Sequence, residues 1–298
     1  MPVVEVRLKP TAPFREPPRA PGLWGQMAWA LRYLEGPQAL EAWLERFRAD
    51  PPPFRISSAY PTGFLPRPLL PLPHVENTAL RKRLKNLDLL PLEVFQEVAT
   101  HGMEALVAWA RTEPSPAPAW TAHARTRLAI DRRSGTAKEG ALYTEPAYWP
   151  AAGTLSVYLN GTEEAVQDAV RLLEWVGRLG YGGRASIGLG QFTVAEVRPY
   201  TLPEAPHPTH AVTLAPTLPP TQGAGWWRLE PYWGRLGGAY ATHAKPFKRP
   251  HLRAVEGSVL PLTHTGGLLE VTPSTPPEAD ARIWEYLWAF PVGVEVKA

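Results

Sequence analysis

The sequence predicts an α+β fold with two domains, of which the first is ferredoxin-like. Apart from insertions, residues 1–198 follow the order strand, helix, strand, strand, helix, strand, which is the split βαβ pattern of ferredoxin-like domains. Prolines at positions 199, 203, 206 and 208 then mark a linker. Residues 209–298 contain short, aromatic strand patterns, and we interpret them as a second, degenerate β-rich α+β domain. A chain of 298 residues agrees with this division.

The composition is that of a folded protein without cysteine chemistry. Proline occupies 36 of 298 positions, but 12 Trp, 10 Tyr and 8 Phe exclude a disordered, low-complexity chain. The absence of cysteine excludes disulfides, thiolate zinc sites and cysteine nucleophiles, and with the proline-rich loops it predicts a thermophilic source. We find neither a signal peptide nor an apolar run of roughly 20 residues, so we expect a cytoplasmic protein with no membrane contact. A net charge of +3 favours a polyanionic partner only where the cations are clustered.

The chain begins with two predicted strands and two predicted helices. Residues 3–8 alternate as a strand, and residues 22–34 and 38–47 have helical periodicity. A run of three prolines ends the second helix, and a second strand is expected at residues 54–59. The Leu-Pro-Arg-Pro segment at residues 65–68 is predicted to be extended, and its prolines exclude a central strand.

A helical insertion is predicted at about residues 78–112. It opens with a run of four cations, Arg81, Lys82, Arg83 and Lys85. Such a run is typical of a solvated helix face, and we favour that interpretation over a binding surface.

A second insertion, at about residues 124–146, has the pattern of a projecting β-hairpin. Its arms are predicted at residues 124–131 and 140–145, and they are joined by a tip, residues 132–138. The tip carries Arg132, Arg133 and Lys138. Edge charges of this kind prevent aggregation in many sheets, and a nucleic-acid contact is the alternative.

The first domain closes with a strand, a helix and a strand. We expect the strand at residues 154–159 and the helix at residues 162–179, where Thr162 is the N-cap and two glutamates occupy the positive first turn. Gly180 is the expected C-terminal stop. The last strand is predicted at residues 187–197.

Residues 179–192, the glycine loop, join that helix to that strand. Five of these fourteen positions are glycine, so successive backbone amides can form a concave nest for an anion, with Arg184 suited to a phosphate. No Walker A pattern occurs in the chain, and the dinucleotide fingerprint requires a strand before the glycines and a helix after them, which is the reverse of the order here. A turn without any ligand is the alternative.

The ordered motifs of the chain resemble the RAMP superfamily of CRISPR proteins, and within it the subunit-four family of the Csm (type III-A) effector complex. The likeness covers most of the chain and is weakest after Pro199. The motifs that carry it are Leu23-Trp24-Gly25, Ser57-Ser58-Ala59-Tyr60-Pro61, Leu65-Pro66-Arg67-Pro68, Ile130-Asp131-Arg132 with Ser134-Gly135, residues 139–145, and the glycine loop.

This resemblance implies two ferredoxin-like (RRM-like) domains with an inserted helical segment and a projecting β-hairpin thumb. It implies a non-catalytic subunit that grips the repeat-derived 5′ tag of the CRISPR RNA. The implied partners are the large polymerase-like signature subunit, a neighbouring RAMP backbone subunit, and target RNA near the thumb. No cofactor is implied.

The local chemistry offers candidates for each kind of contact with single-stranded RNA, which proteins bind through phosphate contacts, aromatic stacking and polar contacts to bases. Tyr181 and Trp24 are stacking candidates, although core packing is the more common role for Trp24. The RNA-binding candidates are Tyr181, Gly182, Gly183, Arg184, Ser186, Gly188, Gly190, Arg132, Arg133, Lys138, Ser57, Ser58, Arg19, Lys245, Lys248 and Arg249, with Arg15 as a further cation.

Three other functions are compatible with the sequence. One is the equivalent subunit of a type III-B complex, although Leu23-Trp24-Gly25 favours type III-A. Another is a metal-independent CRISPR RNA-processing endoribonuclease that uses His123, for which no acid or base partner can be assigned. The third is pure scaffolding. Metal chemistry has little support, because His207 and His210 lie in the linker without further ligand candidates.

Overall fold

The computed structural model describes residues 2–113 and 118–296. The six helices of this part are α1 (Ala20–Glu35), α2 (Pro37–Phe47), α3 (Thr78–Asn86), α4 (Leu92–His101), α5 (Met103–Thr112) and α6 (Glu163–Leu179). Its first nine strands are β1 (Val3–Pro10), β2 (Phe54–Ile56), β3 (Tyr60–Pro61), β4 (Phe64–Pro66), β5 (Leu89–Pro91), β6 (Trp120–Arg127), β7 (Tyr143–Pro150), β8 (Leu155–Gly161) and β9 (Phe192–Tyr200). The remaining strands are β10 (His210–Thr213), β11 (Leu229–Tyr232), β12 (His251–Ala254), β13 (Val259–Pro261), β14 (Gly266–Glu270), β15 (Trp284–Trp288) and β16 (Pro291–Val294).

A five-stranded antiparallel sheet organises the first part of the chain. Its strands follow the order β2-β8-β1-β9, and β3 also pairs with β8. Val6 and Leu8 of β1 are fully buried in the same core as the apolar stripes of α1 and α6. The strand and helix order predicted for residues 1–198 is therefore present, with insertions between β2 and β8.

The boundaries of α6 confirm the sequence signals. The Thr162 hydroxyl accepts a hydrogen bond from the Ala165 amide at 3.3 Å, and Glu163 and Glu164 lie in the first turn. The helix ends at Gly180, whose φ of 88° is in the region that favours glycine. The helix position fixes where the glycine loop begins.

Two predicted strands have different limits in the structure. The strand predicted at residues 54–59 stops at Ile56, because the Ser58 amide donates to the Leu214 carbonyl oxygen outside the sheet. The strand predicted at residues 187–197 begins only at Phe192. Its expected start is occupied by a 3₁₀ turn, Ala185–Ile187, and by two glycines at positive φ, Gly188 and Gly190.

Three helices, α3, α4 and α5, lie between Thr78 and Thr112, where the helical insertion is expected. The segment at 65–68 is not central to a sheet, as expected, because β4 pairs with β5 in a two-stranded sheet. Of the basic run predicted on a solvated face of α3, Arg81, Lys82 and Lys85 are exposed, whereas Arg83 is partly buried beside the fully buried Leu84.

The C-terminal part contains three small antiparallel sheets, in the orders β13-β10-β16, β11-β12 and β14-β15. Its aromatic residues continue the core of the first part. Tyr286 lies 5.6 Å from Trp24 between ring centroids, and the Trp288 indole donates to the Phe47 carbonyl oxygen at 3.2 Å. The two parts therefore share one apolar cluster, and the proposed domain limits at residues 198 and 209 stay a prediction.

None of the helices in the described ranges combines the length and the apolar character that a membrane span needs.

Candidate nucleic-acid interface

The glycine loop is anchored at both ends and exposed in its middle. The Tyr181 amide donates to the Gly190 carbonyl oxygen at 2.8 Å, and the Gly190 amide donates to the Pro13 carbonyl oxygen at 2.9 Å. Tyr181 and Gly190 are buried by this arrangement. The exposed positions between them are Gly183, Arg184, Ser186, Ile187 and Gly188. The middle of the loop is thus accessible to a ligand.

The loop backbone has the conformation predicted for close approach. Gly182 has a φ of 78°, and Arg184 has a φ of 76°, which makes it the one non-glycine residue at positive φ in the described part of the chain. Such a conformation is uncommon for a residue with a Cβ atom and is enriched at functional sites. Within the described ranges, the amides of Gly182 and Gly183 donate to no backbone oxygen. They are available to an anion.

Three guanidinium groups converge on one carboxylate, that of Glu145. Arg184 Nη2 lies 2.6 Å from Oε1, Arg15 Nη1 lies 2.9 Å from Oε1, and Arg127 Nε lies 3.1 Å from Oε2. The Glu145 side chain is only 10% exposed, whereas those of Arg15 and Arg184 are each 43% exposed. Desolvation alone raises the pKa of Glu145, but Arg184 and Arg15 outweigh it and lower that pKa below its ordinary value. The carboxylate therefore stays charged and positions accessible arginines.

Glu145 is not among the site residues predicted from the sequence. It belongs to β7, and the antiparallel register places it opposite Arg125 of β6. Strand alternation at this register puts Arg127 on the same face, so the contact with Arg127 was accessible to sequence reasoning. The contacts with Arg15 and Arg184 depend on the tertiary fold, and no local pattern indicates them.

The predicted hairpin is present, with different arms. Strands β6 and β7 pair from Trp120 opposite Pro150 to Arg127 opposite Tyr143, so the arms lie closer to the base than residues 124–131 and 140–145. An isolated bridge between Ile130 and Ala137 closes the end of the hairpin. The three cations of the tip, Arg132, Arg133 and Lys138, are exposed and take part in none of the ion pairs in the described part of the chain.

The ring of Tyr181 is not available for stacking. Its side chain packs within the core, 6.4 Å from Phe14 between ring centroids, and its hydroxyl accepts from the Arg19 amide at 3.0 Å. Burial raises the pKa of Tyr181. Trp24 is likewise internal and stacks on Trp43 at 5.0 Å. The stacking expectation for these two aromatic residues is therefore corrected to a role in packing.

Ser57 and Ser58 are also internal. The Ser57 hydroxyl accepts from the Tyr158 amide at 2.8 Å and donates to the Ser58 carbonyl oxygen at 2.8 Å. The Ser58 hydroxyl donates to Glu256 at 2.7 Å and accepts from the Ala20 amide at 3.1 Å. Both side chains are used by the fold, which corrects their placement on an RNA-facing surface.

The secondary cations fall into two groups. Arg19 is held by Glu256 and Glu230, at 2.5 and 2.8 Å, and Lys248 is held by the buried Glu285 at 2.5 Å. Lys245 is exposed. Arg249 is also exposed and donates to the Glu270 carbonyl oxygen. Only Lys245 and Arg249 of this set present accessible charge.

A groove of about 1690 Å³ runs beside the exposed middle of the glycine loop. Its walls come from α1, the loop and the C-terminal part, and they include Arg15, Trp29, Arg32, Arg184 and Tyr240. The Arg32 guanidinium lies 5.6 Å from the Trp29 ring and 5.8 Å from the Tyr240 ring. Trp29, Arg32 and Tyr240 are not among the site residues predicted from the sequence, because Tyr240 lies far along the chain from the other two and shares no motif with them.

Among the described residues, no group of three or more His, Asp or Glu side chains is placed to hold a metal ion. His123 is exposed on β6, opposite Ala147.

Comparison with known proteins gives a family and a fold. The RAMP superfamily model matches residues 19–193, more than half of the chain. The chain is 29% identical over 313 residues to the CRISPR system Cms protein Csm4 of Thermococcus onnurineus (strain NA1), across 98% of this chain and 97% of that protein.

Solved structures share the fold over most or all of the chain. One is the Csm1-Csm4 cassette in complex with cA4, with a TM-score of 0.63, 21% identity and complete coverage of both chains. Another is the Csm3-Csm4 subcomplex of the type III-A CRISPR-Cas interference complex, with a TM-score of 0.62, 14% identity, and 99% and 100% coverage. A type III-B Cmr-beta structure bound to cognate target RNA and AMPPnP matches over 86% of both chains, with a TM-score of 0.51 and 14% identity. The match of the family model to residues 19–193 shows that the chain belongs to the RAMP superfamily.

Proposed function

We propose that the chain is a non-catalytic, cytoplasmic RNA-binding subunit of a type III-A CRISPR effector complex, and that it grips the 5′ tag of the CRISPR RNA. The observation that carries this proposal is the convergence of Arg15, Arg127 and Arg184 on Glu145 beside the amides of Gly182 and Gly183, which donate to no backbone oxygen in the described ranges. Three positive charges around one negative charge leave an excess that a phosphate can neutralise. Guanidinium groups and bare amides are the donors that phosphates prefer in proteins.

The shared carboxylate pre-organises this site. Arg184 is fixed both by its backbone conformation and by Glu145, so little side-chain freedom is lost when a phosphate arrives. Arg15 and Arg184 keep almost half of their side-chain surface exposed while they are held. A phosphate oxygen can therefore share these guanidinium groups without a rearrangement of the loop.

The proposal gives each part of the fold a role. The sheet of β1, β2, β8 and β9 with α1 and α6 is the ferredoxin-like, RRM-like unit that positions the glycine loop. The C-terminal part is a degenerate second unit. The β6–β7 hairpin is a thumb near the guide–target duplex, with the tip cations as its RNA contacts.

The proposed partners are the large polymerase-like subunit and a neighbouring RAMP backbone subunit. Support comes from the solved assemblies of similar fold, which pair Csm4 with Csm1 and with Csm3. Type III-A is favoured over III-B because the III-A chains match essentially the whole chain, whereas the III-B chain matches 86% of it.

The decisive experiment measures binding of the full chain to single-stranded RNA that carries a CRISPR repeat-derived 5′ end, across a series of salt concentrations. We expect steep salt dependence, and an Arg15→Ala, Arg184→Ala double variant should flatten the slope of log K against log salt by about 1.4, since each lost contact on single-stranded RNA contributes about 0.7. The matched control is Lys9→Ala with Arg46→Ala, two exposed cations outside the ion pairs of the described chain.

Equal slopes for the double variant and its control would show that the glycine loop does not bind the RNA backbone. Absence of RNA affinity, both alone and with the large subunit added, would favour pure scaffolding. Metal-independent RNA cleavage that is lost in His123→Ala would replace the binding proposal by a nuclease.

A further inference from the structure

Helix α3 carries a basic face that the glycine-loop site does not use. Its N-terminus is fixed by Asn77, whose side chain accepts from the Leu80 amide at 3.0 Å. With 3.6 residues per turn, Arg81, Lys82 and Lys85 fall within an arc of about 100°. All three are exposed, and Leu84, which lies outside this arc, is fully buried. The cations thus form one outward face.

These three cations have no counter-ions among the described residues. None of the ion pairs within residues 2–113 and 118–296 involves Arg81, Lys82 or Lys85. Arg81 and Lys85 are four positions apart, and like charges at that spacing destabilise a helix. Most other arginines of the chain differ, since they are held by a carboxylate, a carbonyl oxygen or an aromatic ring. The α3 face therefore carries a cost that a polyanion would relieve.

A neighbouring helix adds positive charge beside this face. Arg111 of α5 is exposed and lines a shallow cavity of about 360 Å³ at the side of α3. Asp88 follows α3 in sequence, but it interacts with the Arg67 guanidinium. Among the described residues, the face therefore has an excess of cations from Arg81 to Lys85.

We propose that the exposed face of α3 is a second RNA-backbone surface, separate from the glycine loop, which binds phosphodiesters through Arg81, Lys82 and Lys85. Arg81 and Lys85 are about 6 Å apart along the helix axis, so they contact different phosphates of an extended strand. Their charges read no sequence, because contacts to phosphate carry no base information. The inference concerns a surface outside the proposed tag site and stands or falls independently of it.

The test compares oligouridine of about 8 nucleotides, which one groove can hold, with oligouridine of about 30 nucleotides, which reaches a second surface. For the full wild-type chain, the slope of log K against log salt should be steeper for the long RNA by about 2, from three contacts of about 0.7 each. An Arg81→Ala, Lys82→Ala, Lys85→Ala variant should remove this difference and leave the short RNA unaffected. Alanine is a strong helix former, so α3 should stay folded, which circular dichroism verifies.

The matched control is Lys9→Ala, Arg46→Ala, Arg228→Ala, which removes three exposed, dispersed cations and should keep the difference between long and short RNA. A charge-conserving Arg81→Lys variant should also keep it.

Equal slopes for the α3 variant and the wild type would overturn the inference and leave α3 as a solvated face. Both surfaces are supported if the Arg15→Ala, Arg184→Ala variant loses binding to the short RNA while the contribution of α3 to the salt slope of the long RNA is unchanged. If the wild-type chain does not bind the short RNA, but the α3 variant still lowers the slope of log K against log salt for the long RNA, the α3 surface is supported and the glycine-loop site is contradicted.

Discussion

The glycine loop and the tip of the hairpin both present arginine to solvent, but they hold it in different ways. In the loop, Arg184 has a fixed backbone and a carboxylate partner 2.6 Å away. At the tip, Arg132 and Arg133 are exposed and belong to none of the ion pairs in the part of the chain described. The difference teaches that charge alone does not define a binding site. A held guanidinium loses less side-chain entropy on binding than a free one.

The largest expected effect tests the fixed backbone of the loop. Gly190 and Gly188 both have positive φ, at 73° and 83°, but only at Gly190 would an added Cβ overlap the Tyr181 backbone. We expect Gly190→Ala to lower the free energy of unfolding by about 2–5 kcal/mol, from backbone strain and overpacking together. Gly188→Ala should lower it by about 1–2 kcal/mol, from strain alone. Urea denaturation measures both free energies. Equal losses would show that the end of the glycine loop at Gly190 is not fixed against Tyr181.

A charged side chain within an ion pair should also stabilise the fold at neutral pH, whereas an exposed side chain without an ion pair should not. Burial tends to raise the pKa of Glu256, but Arg19 and the Ser58 hydroxyl outweigh it and lower that pKa. A lowered folded-state pKa stabilises the protein above the ordinary glutamate pKa of 4.5, and this contribution is lost as pH falls through the lower folded value. Glu256→Gln should therefore lower the free energy of unfolding by roughly 1.5–3 kcal/mol at pH 7, since hydrogen bonds to charged groups contribute that much.

The control for Glu256→Gln is Lys138→Ala at the hairpin tip, which should leave the free energy of unfolding unchanged within about 0.5 kcal/mol. The difference in the free energy of unfolding between wild type and Glu256→Gln should decrease below pH 4.5. If this difference is constant from pH 7 to pH 3, the charge of Glu256 does not contribute to the free energy of unfolding.

The same contrast predicts two magnitudes in RNA binding. Arg184→Ala should weaken binding about tenfold or more, because it removes a charge-assisted hydrogen bond from a pre-organised site. Arg132→Ala with Arg133→Ala should weaken it only about two- to fivefold, as expected for exposed, unpaired charges. Fluorescence anisotropy at fixed salt measures both. A larger effect at the tip would reverse the assignment of the two regions.

The smallest expected effect on RNA affinity comes from a change at the shared carboxylate of Glu145. Glu145→Gln keeps a hydrogen-bond acceptor for Arg15 and Arg184 but removes the charge that holds them together. We expect the affinity for RNA to change less than threefold, about 0.6 kcal/mol, since the lost orientation and the lost repulsion of phosphate oppose each other. A change as large as that of Arg184→Ala would give Glu145 a dominant role.

Local patterns predicted the elements that local physics controls. The N-cap at Thr162, the stop at Gly180 and the exposed cations of the hairpin tip are all present. The contacts of Glu145 were missed, because its partner Arg15 is 130 positions away in sequence. Tertiary packing also overrode the polar character of Ser57, Ser58 and Tyr181, whose hydroxyls serve internal hydrogen bonds.

The aromatic contacts between the two parts of the chain have a consequence for biosynthesis. Tyr286 packs on Trp24, and the Trp288 indole closes on Phe47. Ribosomes deliver the N-terminal part first, so α1 and α2 keep an uncovered oily surface until β15 has emerged. Transiently exposed apolar surface of this kind promotes aggregation and is what chaperones protect. The final packing of α1 and α2 therefore depends on the last strands of the chain.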